Sequence, residues 1–284
     1  MIISGTERHR LVLVDPAAHR IVWLDWEGRI EREITNAYGC FDVFALPNGQ
    51  VLYPHFGSSN APSDGFSLVD PDGSVALIYH TQGEVFSCQP LPNGNVLVGE
   101  LRSTRRTEVS PMGEVVLEIP VSYEGNPHEC LRAVRKVGDS YYAVSPGAQS
   151  IFRFSQDGAL EQTYHTHPDT FGMVILPNGN LVYACMSGAY GLDPDGNEVW
   201  SLTDADVPEM NIRWLLGVQL LSNGNLVFTN WLGHGHTDEG IQCFEVNHEK
   251  QVVWYLDGRG TFLQPAAVQI LDEEAGAVCY RPMK

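Results

Sequence analysis

The sequence predicts an all-β fold, a six-bladed β-propeller of four-stranded antiparallel blades, and two recurring segments are the basis of that prediction. One segment is built around Pro-Asn-Gly or Ser-Asn-Gly, and a second, built around an Asp-Pro-Asp-Gly-like turn, follows it along the chain. Two hairpins in about 45 residues form one four-stranded sheet, which is the blade of a propeller. No segment shows sustained i, i+3, i+4 apolar spacing, which argues against a helical solenoid.

The first hairpin of the repeat superposes without a gap in four copies. They are FDVFALPNGQVLYPH (41–55), FSCQPLPNGNVLVGE (86–100), FGMVILPNGNLVYAC (171–185) and LGVQLLSNGNLVFTN (216–230). A degenerate copy, LRAVRKVGDSYYAVS (131–145), lies between the second and the third. Asn-Gly between two apolar runs is a strong hairpin signal and predicts a type I′ turn, which needs positive φ at both central residues.

The second hairpin of the repeat has a strand, a turn and a strand in five copies. They are FSLVDPDGSVALIY (66–79), TEVSPMGEVVLEI (107–119), IFRFSQDGALEQTY (151–164), YGLDPDGNEVWSL (190–202) and CFEVNHEKQVVWYL (243–256). The C-terminal AAVQILD (266–272) is predicted to be an inner strand, and residues 1–26 are predicted to supply three outer strands. Both termini would then form a closing sixth blade and leave no free sheet edge.

We therefore expect one propeller domain over residues 1–284. An alternative with seven blades arises if AGAVCYRP (275–282) begins a blade of its own. Trp23, Trp200 and Trp254 fall on outer strands, where we expect them to pack between blades.

Composition and short motifs limit which binding partners and compartments the protein is expected to have. The net charge of −18 disfavours nucleic acid and anionic membranes, because both need neutralising cations. The N-terminal segment has no signal-peptide core, so we expect a cytoplasmic protein if the chain is complete, and a periplasmic or extracellular one if a leader was removed. None of the six cysteines forms a Cys-x-x-Cys pair, which favours buried, reduced thiols. Nucleotide-binding glycine loops and a Gly-x-Ser-x-Gly elbow do not occur.

Three turns carry a family resemblance. DPAAHRIVW (15–23), DPDGNEVW (193–200) and NHEKQVVW (247–254) resemble the D-x-x-x-G-x-x-x-W repeat of PQQ-like propellers. LPNGN followed by a strand, and NWLGHGH (230–236), are similar to bacterial propellers related to the arylsulfotransferases, many of unknown function. The resemblance implies a shared scaffold over almost the whole chain. Quinoprotein dehydrogenases of this class have eight blades, so bound PQQ is not expected. A histidine carries the sulfuryl group in arylsulfotransferases, but no motif here assigns that role to one residue.

Propeller topology predicts two distinct ends for every blade. Both hairpin turns lie at one end, called here the turn end. The links between second and third strands, and between blades, lie at the other, called the link end. We expect one polar or reactive residue per blade where the second strand reaches the link end: Thr6, His55, Glu100, Ser145, Cys185 and Asn230.

Histidines and arginines concentrate at the same predicted end. The histidines are His9, His55, His80, His128, His165, His167, His234 and His236, while His19 and His248 map to turns. They are joined by Arg102, Arg105, Arg106, Arg132, Arg213 and Glu129. Cations gathered in an acidic chain predict an anionic or carbohydrate-like ligand, although a surface ion pair is the commoner role of a single arginine.

Three kinds of site remain open. His234 and His236, in His-Gly-His, could bind a divalent metal with His55, His128 or Glu100, because alternate residues of an extended strand share a face. Alternatively, His128, His234 or His55 performs acid–base or group-transfer catalysis with Glu100 or Glu129, and Arg213 clamps an anion. In the third alternative the link end binds a carbohydrate or a protein without catalysis. Its ligand-binding residues would be Arg213, Arg132, Asn230, Trp231, Trp214 and Glu129, with the tryptophans as stacking platforms.

Overall fold

The computed structural model describes residues 1–57, 64–101, 105–121 and 123–272. The strands are β1 (Ile2–Gly5), β2 (Leu11–Asp15), β3 (Arg20–Leu24), β4 (Ile30–Thr35), β5 (Phe44–Ala45), β6 (Val51–His55), β7 (Asp64–Val69), β8 (Val75–Thr81), β9 (Val85–Pro90), β10 (Val96–Glu100), β11 (Arg105–Val109), β12 (Val115–Pro120), β13 (Ala133–Val137), β14 (Ser140–Ser145), β15 (Ser150–Phe154), β16 (Leu160–His165), β17 (Gly172–Ile175), β18 (Leu181–Cys185), β19 (Gly188–Leu192), β20 (Glu198–Leu202), β21 (Leu215–Leu220), β22 (Leu226–Asn230), β23 (Cys243–Val246), β24 (Val252–Asp257) and β25 (Ala267–Ile270). Short 3₁₀ turns lie at Pro16–Ala18, Pro127–Glu129 and Pro208–Met210.

The strands form six antiparallel sheets, as the repeat predicted. Blade 1 has the order β25-β2-β3-β4, so the C-terminal strand pairs with N-terminal ones. Blades 2 to 5 are β5–β8, β9–β12, β13–β16 and β17–β20 in sequence order, and blade 6 contains β21–β24. The segment on which the seven-bladed alternative rested, 275–282, lies outside the described residues. In the part of the chain that is described, no helix is long and apolar enough to span a membrane.

The prediction assigned the N-terminal strands to the wrong positions in the blades. β1 pairs with β24 as a fifth strand of blade 6, and β2 is the second strand of blade 1. Asp15, not Thr6, therefore ends that second strand. Because β2 is the second strand of blade 1 and β3 the third, the segment after Asp15 is a link between them and not an outer turn. A 3₁₀ turn and the left-handed His19 (φ 52°) reverse the chain there. His9 consequently lies at the turn end and His19 at the link end.

The hairpin turns also differ from the type I′ prediction. Gly49 N donates to Leu46 O (2.9 Å) and Leu46 N to Gln50 O (2.8 Å), with Gly49 at φ 83° and Asn48 at negative φ. The outer turn at Asp193 forms the same pair of bonds. Proline cannot adopt the positive φ of a type I′ turn, so Pro and Asn take a type I turn and glycine takes the left-handed position after it.

The described chain divides into two compact units of three blades each. The first contains Met1–Thr35 and the chain from Phe171 onward, which form blades 1, 5 and 6; the second is Asn36–Thr170, which forms blades 2 to 4. The single domain over residues 1–284 stays a prediction. The core of the first unit packs Trp254, completely buried, among aliphatic residues of blades 1 and 6.

Side chains of one inner strand hydrogen-bond to the backbone of the next. In the second unit Ser87 Oγ accepts from Val134 N (3.2 Å), and Gln89 Oε1 accepts from Lys136 N (2.7 Å). In the first unit Gln219 Oε1 accepts from Ile270 N (2.8 Å). These bonds pair backbone groups that an inner sheet edge would otherwise leave unmatched, and they fix neighbouring blades in register.

Candidate functional site

His128 lies in the connection between β12 and β13, at the link end of the second unit. The connection forms the 3₁₀ turn Pro127–Glu129, and Asn126 Oδ1 caps it by accepting from His128 N (3.1 Å). Proline at the first position suits the turn because it has no N–H to leave unpaired. The local sequence Asn-Pro-His-Glu thus holds the imidazole on a short, capped segment.

A carboxylate orients the His128 ring. Nδ1 lies 2.9 Å from Glu84 Oε2, and the histidine side chain is 51% exposed whereas that of Glu84 is 14% exposed. Nε2 has no hydrogen-bond partner within the described ranges. With the Nδ1 proton directed at Glu84, Nε2 carries the lone pair of the neutral ring and can accept a proton. This is the arrangement of a general base with an orienting carboxylate.

An aromatic cluster adjoins His128. The His128 ring contacts the edge of Phe86 (centroids 5.4 Å apart), and Phe86 in turn packs against Phe56 (4.3 Å) and Phe41 (5.0 Å). Phe86 is buried, while Phe41 and Phe56 are half-buried. An apolar surface therefore lies directly beside a half-exposed imidazole.

Arg132 adds a positive charge to the same cluster. Its Cζ lies 4.4 Å from the centroid of Phe86, on which His128 also packs. Burial lowers the pKa of Arg132 to about 10, against the opposing effect of Glu84, Glu129 and Asp169, so the guanidinium remains charged at neutral pH. The structure thus brings two of the sequence-predicted residues, His128 and Arg132, onto one aromatic ring.

A buried ion pair joins the inner strands of the same three blades. Arg135 Nη1 and Nη2 donate to Asp42 Oδ2 (2.9 Å) and Oδ1 (3.1 Å), and Ser87 Oγ donates to Asp42 Oδ2 (2.8 Å). The bidentate geometry compensates both charges within the protein. This arrangement ties β9 to β13, the strands that directly follow Glu84 and Arg132, and so it positions the site without taking part in it.

The other predicted residues of the second unit have different environments. Glu100 is completely buried and accepts from Thr81 (2.7 Å), Thr107 (2.9 Å) and Arg105 (3.1 Å). His55 is 3% exposed, and its Nε2 lies 3.1 Å from Ser67 Oγ. These side chains join strands within and between blades, and their burial separates them from bulk solvent.

Asn230, predicted to bind ligand, holds a loop of the first unit together. Its Oδ1 accepts from Arg213 N (3.1 Å) and Trp214 N (3.2 Å), and its Nδ2 donates to Asn211 O (3.0 Å) and Ile241 O (3.1 Å). The side chain is completely buried. Its hydrogen-bonding capacity is therefore used by the backbone around it.

Arg213, His236 and Glu239 form a half-exposed triad in that loop. Glu239 accepts hydrogen bonds from Arg213 Nη1 and from His236 Nδ1 (2.7 Å), and Arg213 Nη2 lies 3.4 Å from His236 Nε2. The hydrogen bond from His236 lowers the pKa of Glu239. Both nitrogens of His236 are thus occupied by protein groups.

The two histidines of His-Gly-His have different contacts, since His236 pairs with Glu239 whereas His234 packs on a tryptophan. The His234 ring packs on the edge of Trp231 (centroids 4.7 Å apart), and Trp231 is 6% exposed and also contacts Trp214 (5.3 Å). Trp231 is covered by its neighbours and does not offer an open stacking face. Across the described ranges, no group of three or more His, Cys, Asp or Glu side chains is arranged to hold a metal ion. A metal at His234 and His236 stays a prediction without a third ligand.

Sequence reasoning missed Glu84 and Phe86. Glu84 immediately precedes β9 and Phe86 lies within it, a strand that the repeat assigned to an inner hairpin. The repeat offered one way to find them. Because β9 and β13 are inner strands of consecutive blades, the residues just before each strand lie close together at the link end. No signal in the sequence distinguishes Glu84 from the other acidic residues near strand ends.

Comparison with known proteins identifies the fold. No protein-family model and no curated protein matches the sequence. A crystal structure of a protein of unknown function from Bacteroides caccae is similar, with a TM-score of 0.81 and 21% identity over 92% of this chain and 98% of that one. The chain is a six-bladed β-propeller.

Two solved lyases share the architecture at lower similarity. A streptogramin B lyase has a TM-score of 0.63 and 14% identity, covering 90% of this chain and 87% of that one. Virginiamycin B lyase from Staphylococcus aureus has a TM-score of 0.62 and 13% identity, covering 90% and 83%. These identities establish the fold alone. The kinship with PQQ-like and arylsulfotransferase-type propellers stays a prediction, because no family model matches.

Proposed function

We propose that this protein is an acid–base enzyme for a small anionic or carbohydrate-like molecule, with His128 Nε2 as the general base. The observation that carries the proposal is the Glu84–His128 hydrogen bond, which engages Nδ1 and leaves Nε2 as the basic nitrogen of a half-exposed ring. A general base needs a nitrogen of this kind to accept a proton from a bound substrate. Glu84 acts as the positioning residue and stabilises the imidazolium that forms.

Arg132 and the Phe41–Phe56–Phe86 cluster have complementary roles in the proposal. The guanidinium supplies positive potential where the substrate carries, or develops, negative charge. The aromatic surface accommodates the apolar part of the substrate and excludes water from one side of the imidazole, which strengthens the electrostatic contribution of Arg132.

The structural neighbours support acid–base chemistry in this fold. Two of them are named as lyases, and a third structure is a catalytically inactive virginiamycin B lyase from Staphylococcus aureus with quinupristin, at a TM-score of 0.62 and 12% identity. Lyase reactions eliminate a group without hydrolysis, and removal of a proton by a histidine suits such a step. Quinupristin is therefore one sensible probe among the compounds to be tested.

The experiment is a turnover screen with uronic acids, aromatic carboxylic esters and quinupristin as probes. For any compound that the native protein converts, we expect His128→Gln to lower kcat/KM by about 10²–10⁴-fold, the usual contribution of a general base. Glu84→Gln should lower kcat and shift the pH profile, because it changes the group that supports the imidazolium. His165→Gln is the matched control, since His165 is an exposed histidine of the same unit.

The noncatalytic alternative, a carbohydrate- or protein-binding module, gives a different pattern. In that case binding measured by calorimetry persists in His128→Gln and weakens in Trp214→Ala, which removes the half-buried tryptophan. Unchanged turnover in His128→Gln, or turnover that His234→Ala alone abolishes, would refute the proposed base.

A further inference from the structure

His9 forms a second, buried cluster of titratable groups at the turn end of blades 1 and 6. The residue is 5% exposed, and both of its ring nitrogens face carboxylates. Nε2 lies 2.7 Å from Glu245 Oε2, and Nδ1 lies 3.1 Å from Asp272 Oδ2. The Trp254 indole covers one side of the ring, with centroids 5.2 Å apart.

The three partners come from distant parts of the chain. His9 lies in the connection between β1 and β2, Glu245 in β23, and Asp272 just beyond β25. The cluster therefore links three segments that meet only where the N-terminal and C-terminal strands pair. β25 and β2 form the inner half of blade 1, and β1 completes the edge of blade 6.

The hydrogen-bonding pattern specifies the charge of the ring. A neutral imidazole has one N–H and can donate to one carboxylate only, whereas an imidazolium donates to both. Without the proton, the fully buried Glu245 and the partly exposed Asp272, whose side chain is 20% exposed, would face a ring able to donate to just one of them. Unpaired buried charge is strongly unfavourable, so the geometry favours a doubly protonated His9.

We propose that His9, Glu245 and Asp272 form a proton-dependent clasp that secures the junction of the chain termini and opens when His9 loses its second ring proton. The clasp is independent of the chemistry proposed for His128, and it would regulate the closure of blade 1. Protonation of His9 holds the three segments together, while loss of the proton leaves Asp272, the more exposed carboxylate, without its donor.

The neighbouring charged groups do not take over the role of His9. Glu245 Oε1 also accepts from Asn225 (2.6 Å), and the Cys243 thiol nearby has its pKa raised by burial and stays neutral. On the segment of His9 itself, Arg8 donates to the backbone oxygens of Gly5 and Glu7, and Arg10 pairs with Glu31. No other cation in the described ranges contacts Glu245 or Asp272.

The direction of the pKa agrees with the geometry. Burial lowers the pKa of His9, but the hydrogen bonds to Glu245 and Asp272 outweigh burial, so the pKa is raised above its usual value near 6.5. A raised folded-state pKa means that the stabilisation is fully present below about pH 6.5 and is lost as pH rises through the folded value. The clasp is thus closed below about pH 6.5 and weakens as the pH rises through the raised pKa of His9.

The test is the melting temperature of the full chain between pH 6 and pH 10. We expect the native protein to lose roughly 3–6 °C as the clasp deprotonates, equivalent to one or two kcal/mol at this size. Asp272→Asn should melt lower at pH 6 and lose less across the range, and His9→Gln should do so more strongly. His248→Gln, an exposed turn-end histidine of the same unit, should keep the native profile.

A direct titration keeps the proposal falsifiable if His9→Gln does not fold. Histidine-labelled native protein should show one imidazole that titrates above pH 6.5, assigned by its absence or shift in Asp272→Asn. A His9 that titrates at or below that value, or an alkaline loss of stability that persists in Asp272→Asn, would overturn the clasp.

Discussion

Arg106 is a buried cation without a hydrogen-bonding partner among the described residues, and replacing it should stabilise the protein. The residue is 1% exposed, and all three guanidinium nitrogens are buried and unpaired within those ranges. The guanidinium stacks on Phe154, with Cζ 3.5 Å from the ring centroid. We predict that Arg106→Met raises the free energy of unfolding, because methionine fills similar space without a charge.

The magnitude follows from the cost of burying the charge. Burial lowers the pKa of Arg106 to about 9. At about 1.4 kcal/mol per pKa unit, that lowering corresponds to roughly 4–5 kcal/mol of unfavourable free energy for the charged form. Stacking on Phe154 returns about 2 kcal/mol. A net gain of about 2–3 kcal/mol is expected, within the 1–4 kcal/mol typical of replacing buried ionic groups by apolar ones.

The assay is urea unfolding at pH 7 of the native protein, Arg106→Met and Arg105→Met. Their free energies of unfolding are compared provided that the m-value, the slope of free energy against urea, is the same for all three. Arg105 is the matched control because it is adjacent in β11 yet pairs with the buried Glu100 (Nη2 to Oε2, 3.0 Å). Arg105→Met should lose about 1–3 kcal/mol, since it removes a charged partner from a buried carboxylate. A loss of more than about 1 kcal/mol in Arg106→Met would refute the reasoning, because it would mean that the guanidinium contributes net stability.

Two further predictions concern buried polar groups. Asn230→Ala should lower the free energy of unfolding by about 2–4 kcal/mol in urea, because it leaves several buried backbone groups unpaired; Asn48→Ala, in an exposed turn, is the control, and equal losses would contradict the argument. Glu108→Gln should reduce the fall of the melting temperature at acid pH. Burial raises the pKa of Glu108, but hydrogen bonds from Lys136, Tyr141 and Asn95 outweigh burial and lower the pKa. The native protein should therefore lose this stabilisation as pH falls below about 4.5, whereas the variant should not; an unchanged acid slope would show that other carboxylates dominate.

Most of the fold could be predicted because the repeat encodes local structure. Each copy carries two apolar strands around a turn, and the positions of Pro, Asn and Gly recur, so strand count and pairing order follow from neighbouring segments. The turn type was misassigned because Asn-Gly was weighed without the preceding proline. The N-terminal strands were assigned to the wrong blade positions for a different reason. Residues 2–5 and 11–15 are both apolar strands, and local pattern cannot decide which of them pairs with β25.

The candidate site was less accessible to sequence reasoning. His128 and Arg132 were identified as histidine and arginine near blade connections, but Glu84 is 44 positions from His128 in the chain. Their meeting depends on how consecutive inner strands align, which Ser87 and Gln89 fix through bonds to the next blade. Asn230 and Glu100 illustrate the opposite error, since a polar residue at a strand end was taken as available although the structure buries it.

The sequence by itself determined the architecture of the blades, because hairpins are specified by residues close together in the chain. The gathering of histidines and arginines near the connections between strands stays a prediction from the sequence. Only the tertiary structure decided which of them face solvent, which pair with carboxylates and which are buried. Those outcomes depend on contacts between blades, where small differences in register select one partner among several of the same chemical type.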